Sequence, residues 1–262
     1  MSACPIMSAS FAGRYFSIHG WNDVLTHLTG FVPRDLLSCL RLTAFMFCVS
    51  LGGSLLYRPD GSFDSAYLTK LAPLLRGKPL VVGGGLPAKN AAEAARAANR
   101  GEFHADVAGI RVTWINARKV ARAINGVYCK DSFAKAERAW AAGKTPVMGG
   151  TVPGFTTDAD AVLLAECLGI KRLVNLSKSA AIYDRDPVKK GARKYSRISL
   201  DDFVALVSRF DERKAKVNFP FDLVAAKLAA RSRIRVDFVD GRDLALAKAV
   251  FSGKAVGGTV VS

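Results

Sequence analysis

Apolar and polar positions along the chain switch between two periods. Short apolar runs, read as strands, alternate with stretches in which apolar residues recur every three or four positions, read as helices. The runs predict strands at Phe45–Leu51, Pro79–Val82, Gly126–Cys129, Thr145–Met148, Arg172–Leu176, Arg235–Val239 and Gly258–Val261. Between them the helical pattern covers Asp64–Leu75, Ala88–Ala98, Val107–Ile124, Phe133–Ala142, Thr157–Leu168, Leu200–Phe210, Asp222–Arg231 and Asp243–Phe251. Strands that alternate with helices imply an α/β fold with a largely parallel sheet, because parallel neighbours need a long crossover and that crossover is usually helical. Residues 1–44 mix Ser, Gly, Thr and aromatics without sustained periodicity and are expected to be an N-terminal extension outside the core. The functional chain is expected to begin near Met46, with 45–262 as one domain.

The apolar run Leu42–Leu51 is too short to cross a bilayer and reads as a buried strand. No basic segment leads into an apolar stretch with a small-residue cleavage site, so the sequence is read as cytoplasmic. Five scattered cysteines, odd in number, fit reduced thiols rather than a disulfide framework. None of the three histidines sits at ligand spacing from a cysteine, which leaves a zinc site without support. The formal net charge of +16 favours anionic partners. Short basic clusters occur at Lys189, Lys190, Arg193, Lys194 and at Arg209, Arg213, Lys214, Lys216. No aromatics interleave with them as a stacking platform would need, so nucleic acid is disfavoured and a solvated basic surface is the plainer reading.

Three apolar strands run directly into glycine: at Gly52-Gly53-Ser54, at Gly83-Gly84-Gly85 and at Gly149-Gly150-Thr151. Glycine lets backbone approach a phosphate closely, and the N–H groups of a following helix favour negative charge there. One such turn is weak evidence. Three at the same ends of parallel strands point to one crevice. A Walker A loop is absent. Gly83-x-Gly85-x-x-Ala88 matches a loose dinucleotide fingerprint, with Glu102 as a possible ribose acid, but an earlier strand already carries a glycine turn.

The ordered segments SLGGSLL (Ser50–Leu56), VVGGG (Val81–Gly85), DVAGIRVTWINA (Asp106–Ala117), PVMGGTVPGFTTDADA (Pro146–Ala161), IYDRDP (Ile182–Pro187) and DLVAAKLAARS (Asp222–Ser232) resemble the amino-acid kinase family and, within it, archaeal-type UMP kinases. That resemblance implies a three-layer αβα sandwich with a mainly parallel sheet. It also implies Mg²⁺-dependent phosphoryl transfer from ATP to UMP, and a homohexamer. UMP would bind the half 45–165 and ATP the half 166–262. Such transfer asks the protein for positioning and charge stabilisation more than acid–base chemistry. Magnesium would arrive with ATP, and no protein metal ligand is assigned.

By the same resemblance, Gly52, Gly53 and Ser54 would hold ATP phosphates, and Gly84 and Gly85 would lie between the phosphates of the two nucleotides. Lys89 stands where the archaeal pattern usually has arginine, keeping the charge without the bidentate fork. Asp106 matches the aspartate that contacts the UMP ribose; on residue type alone it is equally an N-cap for the helix after it. Thr151, Val152, Pro153, Gly154, Phe155, Thr156 and Thr157 match the loop that wraps uracil and phosphate. Asp158 could orient a lysine or the metal, with helix capping as its plainer role. Lys227, the charged residue in an apolar helix body, could reach the phosphates or snorkel to water. This matters because Ser50 occupies the position where many relatives outside the archaeal subgroup place a phosphate-binding lysine.

The adenosine side departs most from the family pattern. Where relatives usually read Thr-Asn-x-Asp-Gly, this chain has Ser177-Lys178-Ser179-Ala180-Ala181, while Tyr183, Asp186 and Pro187 remain. Lys178 could meet ATP phosphates as a point charge, or point to solvent beside a decayed site. A catalytically weak nucleotide-binding protein of the same fold and a family kinase with another acceptor are the alternatives. The histidine that isopentenyl phosphate kinases carry after their glycine loop is missing, since Leu86-Pro87-Ala88 follow Gly85.

Overall fold

The computed structural model describes residues 46–179, 181–186, 190–210 and 221–262. The expected extension 1–44, Phe45, Ala180, Pro187, Lys189 and the basic residues Arg213, Lys214 and Lys216 lie outside the described residues. In chain order the elements are β1 (Cys48–Leu51), a 3₁₀ turn (Gly53–Leu56), α1 (Ser65–Leu75), β2 (Leu80–Val82), α2 (Gly85–Ala97), α3 (Gly101–Ile124), β3 (Val127–Lys130), α4 (Phe133–Ala141), β4 (Pro146–Met148), α5 (Thr157–Cys167), β5 (Arg172–Ser177), β6 (Arg197–Ile198), α6 (Leu200–Phe210), α7 (Leu223–Ser232), β7 (Arg235–Asp240), α8 (Leu244–Phe251) and β8 (Thr259–Val261).

The eight strands form one sheet in the order β3-β4-β2-β1-β5-β7-β8-β6. Neighbouring strands of this sheet pair in parallel except β7 with β8. Alternation along each strand sends successive side chains to opposite faces. Cys48, Val81, Met148, Leu173 and Phe238 join the helices α4 to α7 in one core. Val49, Leu51, Val82, Val147 and Leu176 join α1, α3 and α8 in the other. Both faces are therefore covered, which gives the three layers expected of a parallel sheet. Among the described residues, no helix is long and apolar enough to cross a membrane.

Two helix starts differ from expectation, each for a physical reason. α2 begins at Gly85 rather than Ala88 and takes Pro87 into its first turn. The missing N–H of a proline costs nothing there, because first-turn donors have no partner within the helix. α3 begins at Gly101 rather than Val107. Its first residues, Glu102, Phe103 and His104, are exposed, so no burial period marks them in the sequence. An Arg96–Glu102 ion pair spans the turn between the two helices. β6 carries only two residues and no apolar run, and the pattern did not mark it.

β1 is central, with β2 and β4 on one side and β5 and β7 on the other. The strand order thus reverses at β1, and the carboxyl end of such a switch point opens a crevice between diverging loops.

Candidate functional site

A crevice of about 350 Å³ opens there. Gly52, Gly53 and Ser54 line it after β1, Gly83, Gly84 and Gly85 after β2, and Thr157 and Asp158 at the start of α5. Ser50, Asn175 and Ser177 come from the strands beneath, and Leu86 and Lys89 from the first turns of α2.

Backbone meets backbone where the first two loops cross. A Cβ on Gly53 would sit 2.3 Å from the Gly83 carbonyl oxygen and 2.4 Å from the Gly85 nitrogen. Gly85 has φ +67°, and a Cβ there would lie 2.7 Å from the Gly53 oxygen. Only glycine satisfies both limits. Gly52 N–H and Gly83 N–H are taken up by the Leu176 and Leu51 carbonyls, so the backbone at Gly53–Ser54 and Gly84–Gly85, with the positive dipole end of the α2 N-terminus, is what this crossing offers an anion.

The third glycine pair does something else. Gly149 and Gly150 do not line the crevice; they pack on α3, where a Cβ on Gly149 would lie 2.7 Å from Thr113 Oγ1 and 2.8 Å from Trp114 Cδ1. Gly150 N–H donates to Thr113 Oγ1 at 2.7 Å, and Trp114 Nε1 donates to the Gly150 carbonyl at 2.8 Å. The expectation of three glycine turns converging on one crevice is corrected to two, with the third held by a helix.

Beneath the crevice lies a buried polar group. Ser50 Oγ and Asn175 Nδ2 both donate to Asp158 Oδ1, at 2.7 Å and 2.8 Å. Burial pushes the Asp158 carboxyl up to about 7, and the Asp222 charge pushes the same way against the two hydrogen bonds. Asn175 Oδ1 is buried and has no hydrogen-bond partner among the described residues. The lone pairs this group offers lie on oxygens, of Ser50, Asp158 and Asn175 Oδ1, the kind of ligand atom that suits a hard cation such as Mg²⁺. Asp158 does not cap α5, because Thr156 is the N-cap and accepts from Ala159 N–H. Asp160, wholly buried, accepts from the N–H and hydroxyl of Thr151, and burial raises its carboxyl to about 6.

The loop Thr151–Thr157 is pinned at three points. Asp160 takes its first residue, Asp106 Oδ2 accepts from Gly154 N–H at 2.8 Å, and Thr156 Oγ1 donates to Asp222. Asp106 lies inside α3, five residues after its first, so the capping alternative is overturned. Thr157 reaches the crevice, whereas Val152 and Phe155 are exposed at the loop's tip and Pro153 stands between the two.

Other expected residues lie apart from the crevice lining. Lys227 is exposed on α7. Lys178 is exposed, and its carbonyl accepts from Arg242 at 3.4 Å. Tyr183 makes an isolated bridge with Lys194, and Asp186 is exposed. Sequence reasoning missed Asn175, Asp160 and Asn116. A lone polar residue inside the apolar run of β5 was the available signal for Asn175. Asn116, wholly buried in α3, donates to Gly83 and Gly84 carbonyls and gave no such signal.

A sequence model of the amino acid kinase family matches residues 47–240. A uridylate kinase from Methanocorpusculum labreanum is 37% identical over 190 residues, covering 69% of this chain and 80% of that protein. One from Archaeoglobus fulgidus is 36% identical over 223 residues, covering 82% of this chain and 98% of that protein. The crystal structure of the uridylate kinase from Archaeoglobus fulgidus superposes with a TM-score of 0.69 at 32% identity, covering 83% of this chain and all (100%) of that one. A UMP kinase structure from Ureaplasma parvum gives 0.70 at 19% identity over 83% of this chain and 98% of the other, a likeness of fold alone.

Proposed function

This chain belongs to the amino acid kinase family, and on that premise we propose that it transfers the γ-phosphoryl group of ATP to UMP, giving UDP and ADP. The observation that carries a phosphate site is the crossing of the Gly53 and Gly83–Gly85 backbones at the sheet's switch point. The names of the relatives supply the acceptor.

Gly52, Gly53 and Ser54 take the ATP phosphates, and Gly84 and Gly85 face the phosphoryl group in flight. Charge on the equatorial oxygens of an in-line transition state is met by fixed N–H dipoles that need no reorganisation. Lys89, exposed at the crevice edge, adds a positive charge. Asp106 uses one oxygen on Gly154, and its remaining acceptor capacity serves a ribose hydroxyl. The pinned loop Thr151–Thr157 presents hydroxyls and backbone groups to the pyrimidine edge. Mg²⁺ bound with ATP would neutralise phosphate charge, with Asp158 and the buried Asn175 Oδ1 as the oxygens facing it. Lys178 approaches ATP as a point charge, and Lys227, Tyr183 and Asp186 serve the ATP side.

The protein works in the cytoplasm as a homohexamer; the exposed Phe103 and Ile115 on α3 support a self-association surface. Residues 46–262 are sufficient for activity. ADP release measured against UMP, CMP, AMP and GMP tests the reaction. UMP is expected to be used at least about tenfold better than CMP, since a site that hydrogen-bonds a base edge rejects a mismatched one. Equal use of both pyrimidine nucleotides would remove the UMP assignment.

A further inference from the structure

Three consecutive glycines form the β2 loop, and glycine peptides are the freest in a chain. A catalytic cradle made of them works only if something else fixes the peptide planes. Asn116 sits behind this loop, fully buried in α3. Its Nδ2 donates to the Gly83 carbonyl at 2.9 Å and to the Gly84 carbonyl at 3.2 Å. Its Oδ1 accepts from the Tyr57 hydroxyl at 2.6 Å, across 59 residues of sequence. The amide cannot be turned over, because its nitrogen faces two acceptors and its oxygen faces a donor.

We propose that Asn116, oriented by Tyr57, is a positioning residue that aims the Gly84 and Gly85 N–H groups into the crevice. In a trans peptide the carbonyl and the following N–H point in opposite directions. Drawing the Gly83 oxygen toward α3 therefore turns the Gly84 N–H away from it, and drawing the Gly84 oxygen does the same for the Gly85 N–H. Tyr57 closes the 3₁₀ turn that begins at Gly53, so the pair also ties the first glycine loop to the second. Neither Asn116 nor Tyr57 lines the crevice. The role rests on the proposed phosphoryl transfer.

The test uses the full chain, with steady-state kinetics from pH 5.5 to 8 and thermal melts for the wild type, Asn116→Ala, Asn116→Asp and Tyr57→Phe. Asn116→Ala is expected to lower kcat about 100-fold, as loss of an aimed donor does, with KM for UMP and ATP moving less than about threefold. Tyr57→Phe, which keeps the ring and its packing, is expected to lower kcat about tenfold, because the amide then loses the bond that fixes its oxygen and its plane can tilt away from the two carbonyls. Asn116→Asp is informative through pH. Its carboxylate would face two carbonyl oxygens, whereas its protonated form can donate to one of them. Its kcat relative to wild type is therefore expected to rise as pH falls. Folded variants with wild-type kcat would overturn the proposal, and so would an Asp variant whose profile parallels the wild type. A wild type that transfers nothing to UMP would instead remove the reaction on which the role depends.

Discussion

The two sides of the crevice are built differently. On the side of the β1 and β2 loops, main chain crosses main chain, and a single added carbon at Gly53 would fall 2.3 Å from the Gly83 oxygen. On the side of β5, the segment from Ser177 onward is organised by side chains near the surface. Ser177 Oγ accepts from Ser179 N–H at 3.2 Å, and Arg242 donates to the Lys178 carbonyl. The first side admits almost no substitution because its constraint is steric. The second can exchange one polar group for another at small cost. It is also the side on which the resemblance read from the sequence is weakest, at Ser177–Ala181.

Substitutions ranked by expected size can break this contrast. Gly53→Ala should have the largest effect, lowering kcat/KM at least about 100-fold, since a shift near 1 Å in an in-line geometry costs that much. Its thermal melt should show about 1–3 kcal/mol of destabilisation, the usual cost of overpacking. A Gly53→Ala enzyme near wild-type rate would show that the crossing does not matter. Next comes Asp106→Asn, which weakens the Gly154 contact and, as proposed, the ribose contact. Titration calorimetry should find UMP affinity down about 10–100-fold, the worth of a hydrogen bond to a charged group, and ATP affinity nearly unchanged. A loss shared equally between the nucleotides would place Asp106 outside the UMP side.

Asp158 sharpens the comparison through pH. Its folded value, near 7, lies above that of an unfolded aspartate, so the folded protein holds the proton more firmly. The stability linked to that proton is full below the unfolded value and is lost as pH rises from about 4 toward 7. Asn keeps the oxygen that accepts from Ser50 and Asn175 and carries no charge. Asp158→Asn should therefore melt higher than wild type at pH 8, by roughly 1–2 kcal/mol, and the gap should narrow at pH 5. Transfer should be slower if Asp158 has its proposed place beside phosphate and metal, since such a group trades stability for function. A gap that widens toward acid would reverse the assignment of the proton. The smallest effect is expected at Lys178→Ala. An exposed point charge is worth up to about 1 kcal/mol, so ATP affinity should fall by no more than about fivefold, with GTP following in parallel. A collapse of ATP binding in this variant would show that the second side is as constrained as the first.

How much of this was legible beforehand follows the same division. Strand and helix alternation places β1, β2, β4, β5 and β7 within a few residues, because a sheet covered on both faces needs apolar runs of that length. The ends of α2 and α3 were misplaced where Pro87 and the exposed Glu102–His104 interrupt the apolar period without interrupting the helix. Gly53 and Gly85 announce themselves, since tight loops after strands demand glycine. Gly149 carries the same local signal yet packs on Thr113 and Trp114. The two cases differ only in what approaches from elsewhere in the chain. Asn116 and Asp158 were hidden or half-read for that reason: their partners, Tyr57, Gly83, Ser50 and Asn175, come from distant segments that meet only in the folded sheet.

The crossing of the two glycine backbones is the proposed place of phosphoryl transfer to UMP. Phosphorus NMR of the full chain with ATP, UMP and Mg²⁺ tests it most directly, run beside Gly53→Ala at equal concentration. The wild type should produce UDP and ADP in equal amounts while the folded variant produces neither on the same timescale. ADP without UDP, or equal turnover by both proteins, would contradict it.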